Sequence, residues 1–269
     1  IDVFDIEVDA DTPEQFIETV SNISPTFGGI NLEDIKAPEC FMIEQALQAR
    51  LNIPVFHDDQ HGTAIVVAAG LLNALQLAEK KIEEVRVVCL GAGAAGIACM
   101  SMLHALGCPK VNLFMLDRGG VIHQGRQDIS THKQMFATQS VFAEPDDVFD
   151  GADVFIGVSG PNLFNETQIM RMAKHPIVFA LSNPDPEIDR ALAVKVRPDV
   201  IIATGRSDYP NQVNNVLCFP YIFRGALDAC ATAITTEMKI AAVHAIKDIV
   251  HDNHVPETVM TAYGLDKAP

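Results

Sequence analysis

Apolar positions along the chain switch repeatedly between a period of two and a period near 3.6, which predicts strands and helices in alternation. Ile1, Val3 and Ile6 alternate with acids over residues 1–8 and read as a strand. Thr12-Pro13 then supplies an N-cap and a first helical residue for a helix over residues 12–22, ended by the break from Pro25 to Gly29. Residues 30–35 form a short strand closing on Glu33-Asp34. A helix with Phe41, Ile43, Ala46 and Leu47 on one face follows over residues 37–51, and residues 53–56 form a buried strand. Gly62-Thr63 opens a largely buried helix that runs to Glu79 and is closed by Lys80-Lys81. Beyond it, strands are predicted over residues 85–90, 111–116, 153–158, 177–180 and 200–203, and helices over 97–106 and 166–173. Residues 221–250 read as helical, with Ile234, Met238, Ala241, Ala245 and Ile249 giving a face. This order predicts an α/β fold, a Rossmann-like doubly wound parallel sheet domain with part of a smaller α/β domain ahead of it.

Two stretches carry candidate chemistry. His57-Asp58-Asp59-Gln60-His61 falls on a strand-to-helix corner, where adjacent carboxylates between two imidazoles repel each other unless a cation or a shared proton intervenes. Glu33-Asp34 ends the strand before the preceding helix, and parallel strands joined by a helix place such ends side by side. Glu33, Asp34 and Asp59 are thus candidate oxygen ligands for Mg²⁺ or Mn²⁺, the alternative being helix caps and solvated turn acids. His57 and His61 stand i, i+4, a zinc spacing on a helix, but Gly62 and the preceding strand argue against continuous helix there.

The second stretch, Gly91, Ala92, Gly93, Ala94, Ala95 and Gly96, is a G-x-G-x-x-G between a strand and a helix, with Asp117 at the end of the next strand. That order brings backbone N–H groups and a helix N-terminus to a diphosphate and an acid to a ribose; a glycine turn that serves packing alone is the alternative. Asn183, held before Pro184, can hydrogen-bond a nicotinamide or ribose, or close an Asx-turn. The run from Asn211 to Asn215 is rich in amides that donate to carboxylates without adding charge.

Composition narrows the partners. Thirty-five acidic residues against nineteen basic ones give a formal charge of −16 in 269 residues, which argues against nucleic acid or an anionic membrane surface. An anionic substrate must then meet a metal ion or local donors. The longest apolar run, residues 64–72, is too short to span a bilayer. Six cysteines without a C-x-x-C pair lie mostly among apolar neighbours, which predicts reduced thiols and a cytoplasmic protein. His244, His251 and His254 have no acid or thiol at ligand spacing and read as surface or packing residues.

Four long stretches carry a resemblance: residues 28–35, the corner from Phe56 to Ala64, the Gly91 to Gly96 turn, and residues 205–215, Gly205-Arg206-Ser207-Asp208-Tyr209-Pro210-Asn211-Gln212-Val213-Asn214-Asn215. With them the chain resembles the malic enzymes, most closely the bacterial short-type catalytic portion often fused to a phosphotransacetylase-like domain. The resemblance implies residues 1–62 as the end of a catalytic domain holding metal and substrate, 63–228 as the NAD(P)-binding domain, and 229–269 as a helical segment packing back. It implies Glu33, Asp34 and Asp59 as metal ligands, Asp58 as the acid beside them in a proton relay, and Asn183 and Asn215 as residues holding substrate and nicotinamide. The implied reaction is divalent-metal-dependent oxidative decarboxylation of malate to pyruvate and CO₂, in a homo-oligomer. For the cofactor, Asp117 suits the free 2′-hydroxyl of NAD and Arg118 the 2′-phosphate of NADP; NADP is preferred because Arg118 has no other evident partner.

The chain also departs from the family's pattern. The family's general acid, a tyrosine in a Tyr-Ser-Pro-Gly context, and its general base, a lysine in a Gly-Lys-Pro context, lie upstream of Ile1, and Tyr209, Tyr221, Tyr263 and Lys36 match neither motif. The parent protein is therefore expected to be an enzyme, and the chain alone to bind cofactor and metal but to turn over poorly or not at all. A metal-independent dehydrogenase on the same fold and a non-catalytic nucleotide-binding regulatory module are the alternatives.

Overall fold

The computed structural model describes residues 1–140 and 142–250. Val141 and residues 251–269, with His251, His254 and Tyr263, lie outside the described residues. Helix α1 (Pro13–Ile23) begins as its sequence requires, with Thr12 Oγ1 accepting the Gln15 N–H and Pro13 in the first turn. Strand β1 (Ile30–Leu32), helix α2 (Glu39–Arg50) and strand β2 (Val55–His57) follow. β1 and β2 pair in parallel with Leu32 opposite His57. Ile17 and Val20 of α1, Ile43 and Leu47 of α2, Leu32 and Val55 close a small core over this pair.

Helix α3 (Asp58–Leu77) leads from β2 into the larger sheet. That sheet contains β3 (Val87–Leu90), β4 (Leu113–Asp117), β5 (Gly120–Val121), β6 (Val154–Gly157), β7 (Ile177–Ala180) and β8 (Ile201–Thr204) in the order β5-β4-β3-β6-β7-β8. All neighbours are parallel except β4 and β5. Helices α4 (Ala94–Ala105), α5 (Thr131–Gln134), α6 (Glu166–Arg171) and α7 (Arg190–Val196) fall among the strands, and α8 (Tyr221–Asp228) and α9 (Thr236–Ile249) follow them. The strand alternation sends Val87, Cys89, Met115, Ile156 and Phe179 to a core beneath α3, α4 and α9, and Val88, Phe114, Phe155, Val178 and Ile202 to a second core on the opposite face. The chain starts the sheet at β3, builds outward through β4, then returns to add β6 on the other side, so the strand order reverses between β3 and β6. A doubly wound sheet opens its ligand crevice at that reversal.

Four expectations are corrected. Residues 1–8 form no strand; the segment pairs with neither open edge of the β1-β2 sheet, and Ile1, Val3, Phe4 and Ile6 stay exposed, so no burial offsets the cost of ordering an extended strand. α3 begins at Asp58, not Thr63, and runs through Gly62, where the Asp58 carboxylate occupies the space a Cβ would fill and so requires glycine. The boundary between residues 62 and 63 therefore falls inside a continuous helix. Residues 221–250 are two helices, parted where Cys230 takes a left-handed backbone (φ 49°) and restarted by Thr235 Oγ1 accepting the Met238 N–H. The buried side of α9 centres on Val243, with Met238, Ile240 and Ile246 packed beside it, and Ala241, Ala245 and Ile249 face solvent. The exposed His244 agrees with its surface reading. Among the described residues no helix is long and apolar enough to cross a membrane.

Candidate active site

The parallel pairing of β1 with β2 brings Glu33-Asp34 and Asp58-Asp59 to one end of the small sheet. The Asp34 N–H donates to Asp59 Oδ2 at 2.9 Å, and Asn31 Nδ2 donates to Glu33 Oε2 at 2.8 Å. Asp58 is only 4% exposed; its Oδ2 accepts from Asn215 Nδ2 at 2.7 Å, and its Oδ1 has no hydrogen-bond partner among the described residues. Burial, with Asp59 beside it, pushes the Asp58 carboxyl up to about 6 although Asn215 opposes the shift. Partial burial and the carboxylates of Asp59 and Asp58 push Glu33 up to about 7. Among the described residues, however, no three His, Cys, Asp or Glu side chains converge to hold a metal ion. The nearest link between the two pairs runs through the backbone of Asp34, whose φ is 56°.

The imidazoles beside the corner turn away from each other. His57, fully buried, places Nε2 3.2 Å from the Ile35 carbonyl oxygen. His61 Nε2 lies 2.9 and 3.1 Å from the two oxygens of Glu44 on α2, and Gln60 Nε2 donates to the same carboxylate at 3.2 Å. Glu44 thus pins the first turn of α3 to α2, a role with no sequence signal beyond a charge on an otherwise apolar face.

At the reversal point of the large sheet, Gly91 has φ 121° and an added Cβ there would stand 2.6 Å from the Val158 carbonyl oxygen, so only glycine fits. Gly93 caps α4, and the space where its side chain would lie is open for 4 Å. The N–H groups of Ala94, Ala95 and Gly96 belong to a helical first turn, which leaves them without intrahelical acceptors and able to receive an anion. A cavity of about 330 Å³ joins this turn to the acidic corner: Asp59 and Thr63 of α3, Ala95, Ser159, Asn183 and Asn215 all line it. The metal candidate Asp59 and the cofactor candidates Ala95 and Asn183 therefore share one space, which Glu33 and Asp34 do not line.

Residues 60–262 match the model of the malic enzyme NAD-binding domain, and residues 5–48 match that of the malic enzyme N-terminal domain. The chain belongs to the malic enzyme family. It is 61% identical over 266 residues to an NADP-dependent malic enzyme of Halomonas elongata, covering 99% of this chain and 63% of that protein. It is 58% identical over 271 residues to an NADP-dependent malic enzyme of Escherichia coli (strain K12), covering 98% of this chain and 35% of that protein. The chain thus spans about two thirds of the first relative and about one third of the second. Among solved structures, the NAD-dependent malic enzyme of Thermotoga maritima superimposes with a TM-score of 0.85 at 45% identity, covering 91% of this chain and 66% of that one. The family and the α/β class expected from sequence both hold, and relatives named for either dinucleotide occur.

Within the family's NAD-binding domain, the surroundings of Asp117 differ from the sequence expectation. Its carboxylate is already saturated by the Gly119 N–H (2.9 Å), Arg126 Nη1 (2.7 Å) and Nη2 (3.4 Å), and Lys133 Nζ (2.6 Å). Burial would raise this acid, but Arg126 and Lys133 outweigh it and hold Asp117 down at about 2. Arg118 is exposed and makes no hydrogen bond or ion pair among the described residues. Sequence periodicity does not report Arg126 and Lys133, because Arg126 lies in the loop after β5 and Lys133 on the short α5, neither of which has a hydrophobic period.

Proposed function

We propose that the protein oxidises malate and decarboxylates it to pyruvate and CO₂ while reducing a nicotinamide dinucleotide, with Mg²⁺ or Mn²⁺ required. The observation that carries this reading is the single cavity lined by Asp59 and Asn215 on one side and by Ala95 and Asn183 on the other. The carbon that gives up hydride also carries the oxygen that a cation must polarise, so the two sites have to share one space. The donor set suits a hard divalent ion: it is all oxygen, and its member Glu33 is pushed upward first by burial and then by the neighbouring carboxylates of Asp59 and Asp58, a repulsion that a cation relieves. In this reading Glu33, Asp34 and Asp59 hold the ion, which when bound supplies the Lewis acid while the nicotinamide supplies the hydride acceptor.

The remaining roles belong to the chain itself. Asn215 orients Asp58 through the 2.7 Å bond to Oδ2, which leaves the buried Oδ1 as the atom able to take up and return a proton. Asn183 and Asn215 offer carboxamide donors to substrate and nicotinamide, and the first turn of α4 receives the diphosphate. NADP is the preferred dinucleotide: with the Asp117 oxygens occupied, the ribose 2′ position meets Arg118, Arg126 and Lys133, a setting for phosphate more than for a hydroxyl. Malate-dependent formation of NADPH tests the proposal. Activity should vanish with EDTA, return with Mn²⁺, and fall about a hundredfold in Asp59→Asn. In a protein that carries the family's upstream tyrosine and lysine, activity indifferent to both treatments would point to a metal-independent dehydrogenase, and an absence of malate-dependent reduction would refute the substrate.

A further inference from the structure

Glu187 is completely buried, and the chemistry proposed above does not use it. It lies between β7 and α7, and its two oxygens are divided between two loops. Oε1 accepts the Ser159 N–H at 3.0 Å, just beyond β6, and Oε2 accepts the Ser182 N–H at 3.1 Å, just beyond β7. Ser159 and Ser182 both line the cavity, and Asn183 follows directly. A carboxyl group is tolerated in a sheet interior only where donors meet it, and burial still pushes this one upward despite both amides. An apolar side chain of the same shape would leave two partly buried N–H groups without these acceptors. The neighbouring sequence is adapted to the acid: a Cβ on Gly157, at the end of β6, would stand 2.5 Å from Glu187 Cδ and 2.7 Å from Oε2. The glycine thus makes room for the carboxyl group.

We infer that Glu187 is a positioning residue for the nicotinamide half of the cofactor, tying the carboxyl ends of β6 and β7 together so that Ser159 and Asn183 meet the ring at a fixed spacing. The assignment to that half follows from topology. The turn after β3 and Asp117 at the end of β4 face the diphosphate and the adenosine ribose, so the rest of the dinucleotide extends over β6 and β7. The inference rests on the reading of the crevice as the cofactor site.

The test compares binding of whole and half cofactors to the intact protein, using the intrinsic fluorescence of NADPH and competition by 2′,5′-ADP, with NADH and ADP run in parallel. Glu187→Gln keeps the shape but turns an amide donor toward one of the two N–H groups. It should weaken NADPH about tenfold and leave 2′,5′-ADP within about twofold. Glu187→Asp, too short to reach both loops, should show the same split and serves if the first variant does not fold. Equal weakening of both ligands would overturn the inference in favour of a general structural role, and unchanged NADPH affinity would overturn it outright. Failure of the unsubstituted protein to bind any dinucleotide, or retention of full binding in Gly91→Ala, would instead overturn the crevice reading on which it rests.

Discussion

Lys133→Met removes one ammonium from Asp117 and keeps most of the aliphatic stem, so it isolates the charge around the proposed 2′ site. The Lys133 Nζ to Asp117 Oδ2 bond is 2.6 Å long, between side chains 26% and 15% exposed. A charge-assisted bond kept from water contributes about 1.5–3 kcal/mol. Solvent screening at a partly exposed pair reduces that to about 1 kcal/mol. The same free energy corresponds to about 0.7 of a pK step, so Asp117 should rise from about 2 partway toward its ordinary 3.8. The folded carboxyl titrates below the unfolded one, so its stabilisation is complete above 3.8 and is lost as pH falls toward about 2. Urea denaturation at neutral pH should therefore show the variant destabilised by about 1 kcal/mol, and the gap should close in strong acid. In an Asp117→Asn background the same substitution should cost little stability, since its partner is gone. Cofactor binding should behave differently: NADPH affinity should fall about fivefold to tenfold in both backgrounds while NADH stays within about twofold. Equal losses for the two dinucleotides, or additive stabilities across the cycle, would refute the idea that these cations serve first the acid and then a 2′-phosphate.

Other substitutions test other parts of the site. Gly91→Ala places a Cβ against the Val158 carbonyl in a backbone with φ 121°, and thermal unfolding should show a loss of about 2 kcal/mol or more together with loss of NADPH binding. Glu44→Ala strands His61 and Gln60 in a buried setting; it should cost about 3 kcal/mol by urea denaturation, against about 1 kcal/mol for Glu44→Gln, and equal costs would remove the pinning role. Gly62→Ala forces the Asp58 carboxylate out of its fold against α3, so calorimetry should find weaker Mn²⁺ binding with NADPH affinity unchanged. Loss of both ligands together would mean that α3 as a whole had shifted.

Most of the architecture was legible because it rests on apolar periodicity. The five parallel strands of the large sheet, α1 with its Thr12 cap and the Gly91 to Gly96 turn all follow local rules that operate within a few residues. Misreadings arose where a distant contact overrides a local preference. Gly62 argues locally against helix, yet the helix passes through it; the glycine is there for the Asp58 side chain, which fills the space of a Cβ. The alternation of residues 1–8 suited a strand, but a strand exists only with a neighbour, and sequence periodicity does not report neighbours. Of the candidate site, the acid pairs, the glycine turn and Asn183 stand out by type and spacing, while Asn215 is singled out from its amide-rich run, and Asp58 given its role, only by the family resemblance. Glu44, Arg126, Lys133 and Glu187 do not stand out, since each acts on a partner brought to it by the fold: Glu187 meets Ser159 across 28 positions and Arg126 meets Asp117 across a turn.

The separation between the acidic corner and the dinucleotide turn is fixed by helix packing more than by any loop. α3 carries Asp58 and Asp59 in its first turn, lends Thr63 and Val66 to the cavity wall one and two turns on, and packs along its length on α4 and α9. Such packing is strong but weakly directional: apolar faces hold two helices together and tolerate small rotations. Rotation of α3 by even a fraction of a turn would swing Asp59 away from the cavity. What restricts it is a set of directional bonds at both ends. Glu44 holds Gln60 and His61 near the start, Asn215 holds Asp58, and Asn73 Nδ2 donates to the Lys247 carbonyl of α9 at 3.1 Å near the far end. The Asn215 bond joins residues 157 positions apart and forms only when the chain beyond β8 has come back to the corner. The corner can therefore keep its crowded carboxylates in register with the cofactor crevice only in the completed fold, which makes that one amide the link between stability and chemistry.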